Sequence, residues 1–365
     1  MLLGNPYDLS PTPTQRIHRL IRKVQPTKIN GALTTLRACS WLPKAISGIH
    51  FRRVAGGEGQ MLQLPQPLDT GFHQDIPRFW GEWGVDSEVG RLIKVLVHRP
   101  GGEVGSVTEI SKYRWKSRPD LEKMQKQHDE FTKILSENGV EVIELGTVGP
   151  DKADSTFVRD SMAMTPEGAI VSRMAMETRR GEEKYIAKRL AELGVPILRT
   201  IHGRGTFEGG NLTWLEPKTV LIGWGHRTNQ EGIAQVEETL KLAGVERVVQ
   251  IPVPTGYLHI DGFVSVIDKG MVLIYPRQCP QYLSDLLREK DFKVVASYAD
   301  EERDNFAFNT LAIRPGRVIC TTGNPRTVEI LRGEGIDVIE TDVSEFMKCG
   351  GSVHCMTQPL LRERP

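Results

Sequence analysis

The chain has 365 residues and a net charge of +1, with 39% hydrophobic and 25% charged residues, an ordinary globular balance that suffices to bury a core. A charge this near neutral excludes a general nucleic-acid binder, which carries a basic excess, and no apolar run approaches the roughly 18 residues of a membrane span. Five cysteines (Cys39, Cys279, Cys320, Cys349, Cys355), odd in number and without a CxxC pair, exclude a disulfide framework or structural zinc site and suggest a reducing, cytoplasmic setting.

Residues 1–57 hold nine Lys/Arg and a single acid, Asp8, leaving 38 basic against 45 acidic residues beyond them. Two readings fit this stretch: a basic arm on the domain surface, or an organellar targeting peptide, which is also Arg-rich and acid-poor. Pro6, Pro11, Pro13, Pro26 and Pro43 interrupt any long amphipathic helix and favour the arm. Residues 1–80 read as an irregular extension and 81–365 as the catalytic domain.

Regular structure opens with the β-branched run Arg91–His98, a buried strand. Leu121, Met124, His128, Phe131 and Leu135 carry helical spacing that stops at Asn138-Gly139, and a strand follows at 140–145. From there one pattern recurs: a strand pair with a tight turn, a helix, then another strand. Hairpins are expected at 160–172, 211–223, 262–275 and 310–321, with helices at 182–193, 231–243, 281–290 and 326–334. Hairpin starts near 160, 210, 261 and 309 give spacings of 50, 51 and 48 residues, the mark of a repeated supersecondary unit. The first unit lacks its opening strand, and the terminal run Ser352–Leu361 reads as a free strand able to supply it. The expected fold is α/β: a closed five-bladed ββαβ propeller with pseudo-five-fold symmetry.

In such a ring, residues one repeat apart converge on the axis. The polar clusters lie where the chain enters each hairpin: Phe157-Val-Arg-Asp160, Phe207-Glu-Gly-Gly-Asn211, His259-Ile-Asp-Gly262 and Gly350-Gly-Ser-Val-His-Cys355. Together they offer three carboxylates (Asp160, Glu208, Asp261), one imidazole (His259) and one thiol (Cys355). Carboxylates grip a planar, cationic guanidinium through its fork of N–H donors. Its central carbon is a poor electrophile and calls for a thiolate, while one histidine can protonate the leaving amine and then deprotonate water. No metal or cofactor is needed for that sequence of steps. Taken singly, each residue has a plainer role: a small buried cysteine, a structural histidine, a glycine turn. His354, next to the thiol, is expected on the opposite face of the terminal strand in a structural role. His202-Gly-Arg-Gly and Trp224-Gly-His226 are candidate gating loops.

These motifs resemble the guanidino-group modifying enzymes, the family of arginine deiminases, dimethylarginine hydrolases and amidinotransferases. The resemblance covers about residues 80–365. It rests on Trp83-Gly-Val-Asp-Ser-Glu-Val-Gly-Arg-Leu92, F-x-R-D ending at Asp160, E-G-G-N from Glu208, H-x-D from His259 to Asp261, and G-G-x-x-H-C-M-T around Cys355. It implies a five-bladed pentein fold, a covalent thiouronium intermediate on Cys355, proton transfer by His259, and a guanidino group held by Asp160, Glu208 and Asp261. Deiminases of the family place an arginine ahead of the terminal Gly-Gly to bind the substrate carboxylate. Here Lys348-Cys349 stands in that place, leaving Arg159 and Arg173 as candidates. The expected activity is hydrolysis of a small cationic guanidino compound to a ureido product, with amidino transfer to an amine as the second reading. A binding protein on the same propeller, like the ribosome anti-association factors, lacks the Cys/His/carboxylate set. Nucleic acid and membrane are not expected partners, and a homo-oligomer is possible.

Overall fold

The computed structural model describes residues 66–364, so both readings of the basic stretch 1–57 lie outside the described residues. The extension is not irregular to its end: Phe72–Asp75 forms a helical turn that continues as a π-helical turn over Ile76–Trp80.

The first unit contributes β1 (Leu92–Val97), α1 (Leu121–Glu137) and β2 (Glu141–Glu144). The second holds β3 (Met162–Thr165), β4 (Gly168–Val171), α2 (Glu183–Leu193) and β5 (Ile197–Thr200). The third holds β6 (Leu212–Glu216), β7 (Thr219–Trp224), α3 (Gln230–Leu242) and β8 (Arg247–Pro252). The fourth holds β9 (Val264–Asp268), β10 (Met271–Ile274), α4 (Gln281–Glu289) and β11 (Lys293–Ala296). The fifth holds β12 (Leu311–Arg314), β13 (Arg317–Thr321), α5 (Pro325–Gly333) and β14 (Asp337–Thr341), and β15 (Gln358–Arg362) follows near the end of the chain.

Among the described residues the strands form five three-stranded sheets of one connectivity, with a middle strand antiparallel to one neighbour and parallel to the other. The parallel pair requires a crossover, and a helix makes it in every unit. β15 pairs antiparallel with β1 and so completes the first sheet with the last strand. Contacts run from β15 to β3, from β6 to β9, from β9 to β12 and from β12 back to β1.

The middle strands are apolar and β-branched because both faces are covered; Val220, Leu221 and Ile222 of β7 are fully buried. The helices bury one stripe each. On α1, Met124, Phe131 and Leu135 face inward, each such side chain contributing about 2–3 kcal/mol of burial. Asp120 caps α1 by accepting from the Lys123 amide at 3.0 Å. Past its end Gly139 takes φ 79°, a left-handed conformation that a side chain would strain.

The segment carrying the thiol differs from expectation. Residues 353–356 form a turn, closed by Met356 N–H on the Ser352 carbonyl (3.0 Å) and Thr357 N–H on the His354 carbonyl (3.1 Å), and the strand begins only at Gln358. A tight turn lets Cys355 leave the ladder, where a strand would have fixed it to one face.

Candidate active site

The polar clusters sit in short 3-10 turns at the entrance to the hairpins: Val158–Ser161 before β3, Gly209–Asn211 before β6 and Ile260–Gly262 before β9. These turns pack on one another, so residues about fifty apart in sequence become neighbours. The Gly-Gly of Glu208-Gly-Gly-Asn is required for that approach. A Cβ on Gly209 would lie 2.0 Å from the Met162 carbonyl oxygen, and one on Gly210 would meet Asp160 Oδ1 at 2.7 Å and the His259 ring at 2.9 Å.

Asp160, His259, Asp261 and Cys355 line a cavity of about 240 Å³. His259 Nε2 lies 2.7 Å from Glu208 Oε2, and its Nδ1 lies 3.4 Å from Asp160 Oδ1. Cys355 Sγ is 3.7 Å from Asp261 Oδ2. Asp160 Oδ1 is buried with no hydrogen-bond donor, an unfilled acceptor beside the cavity.

Three of the expected substrate contacts are placed elsewhere. Glu208 is fully buried and absent from the cavity wall, so it orients His259 from behind. Arg159 is also off the wall; its guanidinium lies against Glu88 (3.4 Å) and His354 Nε2 (2.5 Å). It precedes Asp160 directly, and neighbours in so tight a turn do not share an orientation. Arg173 donates to the Gly205 carbonyl (3.0 Å) and is likewise outside the cavity. His202 and Trp224 do not line it, and His226 approaches it only through Arg114 (3.2 Å).

Three residues that the sequence reading passes over belong to the site. Asn309 precedes β12, at the fourth hairpin start, and donates from Nδ2 to Cys355 Sγ (3.2 Å) while accepting from the His354 amide (3.1 Å). The repeat phase pointed to position 309. Arg179 and Arg227 also line the cavity. Arg179 pairs with Asp160 (2.5 Å) and Arg227 with Glu208 (3.1 Å), each arginine 19 residues after its acid. That shared offset in consecutive repeats was the available signal.

The sequence model of the eukaryotic N,N-dimethylarginine dimethylhydrolase family matches residues 110–362. The chain belongs to this family. It therefore sits within the guanidino-group modifying, or pentein, superfamily. It is 27% identical to the protein YkgA of Bacillus subtilis, covering 79% of this chain and 98% of that one. With an arginine deiminase of Latilactobacillus sakei it shares 24% identity over 76% of this chain and 98% of the relative. Among solved structures, a cysteine-to-serine variant of the Pseudomonas aeruginosa dimethylarginine dimethylaminohydrolase complexed with citrulline is similar at 27% identity. Its TM-score is 0.62, over 75% of this chain and all of that one. An amidinotransferase of Microseira wollei, 18% identical with a TM-score of 0.65 over 78% of this chain and 98% of its own, shares the fold.

The site of this family member is charged in alternation. Burial alone would lower the pKa of His259, but Asp160, Glu208 and Asp261 outweigh it and raise the imidazole above its ordinary 6.5. Burial pushes Glu208 the other way, yet the His259 hydrogen bond and the Arg227 charge hold it down at about 2. Burial pushes Asp261 up as well, but the His354 hydrogen bond together with the charges of His354, His259 and Arg159 leaves it lowered. Cys355 is pushed well above the ordinary thiol range by burial and by the Asp261 and Asp160 carboxylates. These surroundings favour the protonated imidazole and the neutral thiol. Burial raises Glu182, on the far side of Arg179, to about 8 against the pull of that arginine.

Asp160, Glu208 and His259 offer three ligand-type atoms within 4.8 Å of one another. His259 directs its nitrogens at the two carboxylates, and the arginines engage the same acids. Most of these donors and acceptors are engaged in hydrogen bonds and ion pairs, with Asp160 Oδ1 the acceptor left open.

Proposed function

We propose that this chain is a cysteine-dependent hydrolase of an arginine-like guanidino substrate, built on a closed five-bladed propeller. The observation that carries the reading is the convergence of Cys355, His259, Asp160 and Asp261 on one cavity. A guanidinium entering between Asp160 and Asp261 fills the unpaired Asp160 Oδ1 and neutralises the charges that keep Cys355 protonated. Its own positive charge then favours the thiolate.

As the guanidinium binds, the thiol loses its proton to bulk solvent and Sγ bonds to the guanidino carbon. Protonated His259 passes a proton to one nitrogen, and the C–N bond breaks to release ammonia or an amine. Water then attacks the thiouronium carbon, His259 takes a proton from it, and the C–S bond breaks to leave a ureido product and free Cys355. Asn309, donating to Sγ, steadies the thiolate. Arg227 and Arg114 on the cavity wall favour a substrate whose far end is a carboxylate. Citrulline, held by the Pseudomonas relative, is a ureido amino acid of the kind this reaction would release.

The test is intact-protein mass spectrometry with a ureido assay, using arginine, Nω-methylated arginines and the decarboxylated guanidine, with and without amine acceptors. Ureido product from a carboxylate-bearing guanidine alone is the expected result. An adduct on Cys355 that only an added amine discharges would replace hydrolysis with amidino transfer. Neither product nor adduct from any guanidine would overturn the reading.

A further inference from the structure

Behind the cavity, Asp261 is backed by a buried group of His354, Arg159 and Glu88 that the reaction above does not use. His354 sits between Asp261 and the pair Glu88–Arg159. Its Nδ1 is 2.8 Å from Asp261 Oδ2, and its Nε2 is 2.5 Å from Arg159 Nη2 and 3.6 Å from Glu88 Oε2. Glu88 also accepts from the Trp214 amide at 3.2 Å, and all four charged or polar side chains are buried.

The distances settle which way the hydrogen bonds run. An arginine has donors and no acceptor, so the close contact on Nε2 requires a lone pair there. Glu88 is a full ångström farther off, too long to accept a hydrogen bond from Nε2. The ring proton therefore sits on Nδ1, and Nδ1–H donates to Asp261. Arg159 donates to His354 and His354 donates to Asp261, a chain of bonds polarised toward one carboxylate. The Asp261 oxygen that receives it is also the one 3.7 Å from Cys355 Sγ. The His354 backbone is anchored in turn by Asn309, which contacts that same sulfur.

We infer that His354 is a positioning residue: as the neutral Nδ1–H tautomer, backed by Arg159, it holds the Asp261 carboxylate in place beside the thiol. The inference deepens the proposed reaction and rests on it for its kinetic consequence, but the tautomer is independent of any substrate.

The experiment has two arms. In the full chain with ¹⁵N-labelled histidine and no substrate, the His354 ring signals, assigned by their loss in His354→Asn, should show a protonated Nδ1 and a bare Nε2. An Nε2–H tautomer or a doubly protonated ring would overturn the inference. In the second arm, His354→Ala should raise KM for the guanidino substrate by roughly tenfold or more, with a smaller change in kcat. His354→Asn places an amide N–H where Nδ1–H was and should recover most of that loss. Equal impairment of the two variants would show that the donor is not what matters, and would also overturn the inference. If no guanidine is turned over at all, that failure belongs to the proposed function, and the tautomer alone decides. The same arm decides if His354→Ala does not fold.

Discussion

His259 and His354 occupy two regions that look alike in outline. Each is buried and each faces a carboxylate on both sides: Asp160 and Glu208 for His259, Asp261 and Glu88 for His354. They differ in what else touches the ring and in whether it reaches the cavity. His259 lines the cavity, and its neighbouring arginines, Arg179 and Arg227, bind the acids and leave the ring to face them directly. Nε2 bonds to Glu208 and Nδ1 faces the Asp160 charge, which together raise the pKa. At His354 an arginine is interposed on the ring itself, so one nitrogen must accept. A pair of carboxylates alone does not define a proton donor; the placement of the arginine does.

The comparison breaks most completely at the thiol that both regions serve. Cys355→Ala should remove turnover by about three orders of magnitude or more, since Cys355 Sγ is the thiol set against Asp261 and Asn309, whereas Cys349, also on the cavity wall, faces the Glu345 carbonyl. The fold should persist, and steady-state assay with circular dichroism checks both. Turnover retained in that variant would dissolve the site assignment.

A finer test separates the histidines by pH. Activity that depends on protonated His259 falls as pH rises through its raised pKa. Glu208→Gln removes one of the charges that raise it, so the alkaline limb of the kcat/KM profile should move to lower pH. Glu88→Gln acts on the other histidine and should leave that limb in place. Profiles of the three proteins decide; limbs that move together would show the two regions to be one.

The smallest effect concerns a third histidine that neither region uses. His128 is buried on α1 with no hydrogen-bond partner for its ring, and burial pushes its pKa down to about 4. A depressed folded-state pKa contributes stability that is present above the ordinary 6.5 and is lost as pH falls toward 4. His128→Leu should flatten that loss by about 3 kcal/mol. Denaturant titrations at several pH values would read it, and an unchanged acid profile would remove His128 from the account.

Much of the fold could be read from the chain. The spacings of 50, 51 and 48 residues located the hairpins, the crossover helices and the entrance turns that carry Asp160, Glu208, His259 and Asp261. The extended reading of Ser352–Leu361 failed over its first half because Gly350, Gly351 and Ser352 permit a turn as readily as a strand. Asn309 carries no local mark although the repeat phase points to its position, since an asparagine before a hairpin is locally an ordinary turn residue.

What the sequence determined by itself was periodic and chemical: the repeating α/β unit, the closing role of the last strand, and a thiol, an imidazole and carboxylates in register with the repeat. Direction and depth were decided only by the tertiary structure. Glu208 was drawn behind His259, Arg159 was turned away to His354, and Arg179 and Arg227 were brought in on loops. Repeat spacing tells where a backbone position falls around an axis. Which way a buried charged side chain points is set by the partners that offset its desolvation, and those partners come from other units of the fold.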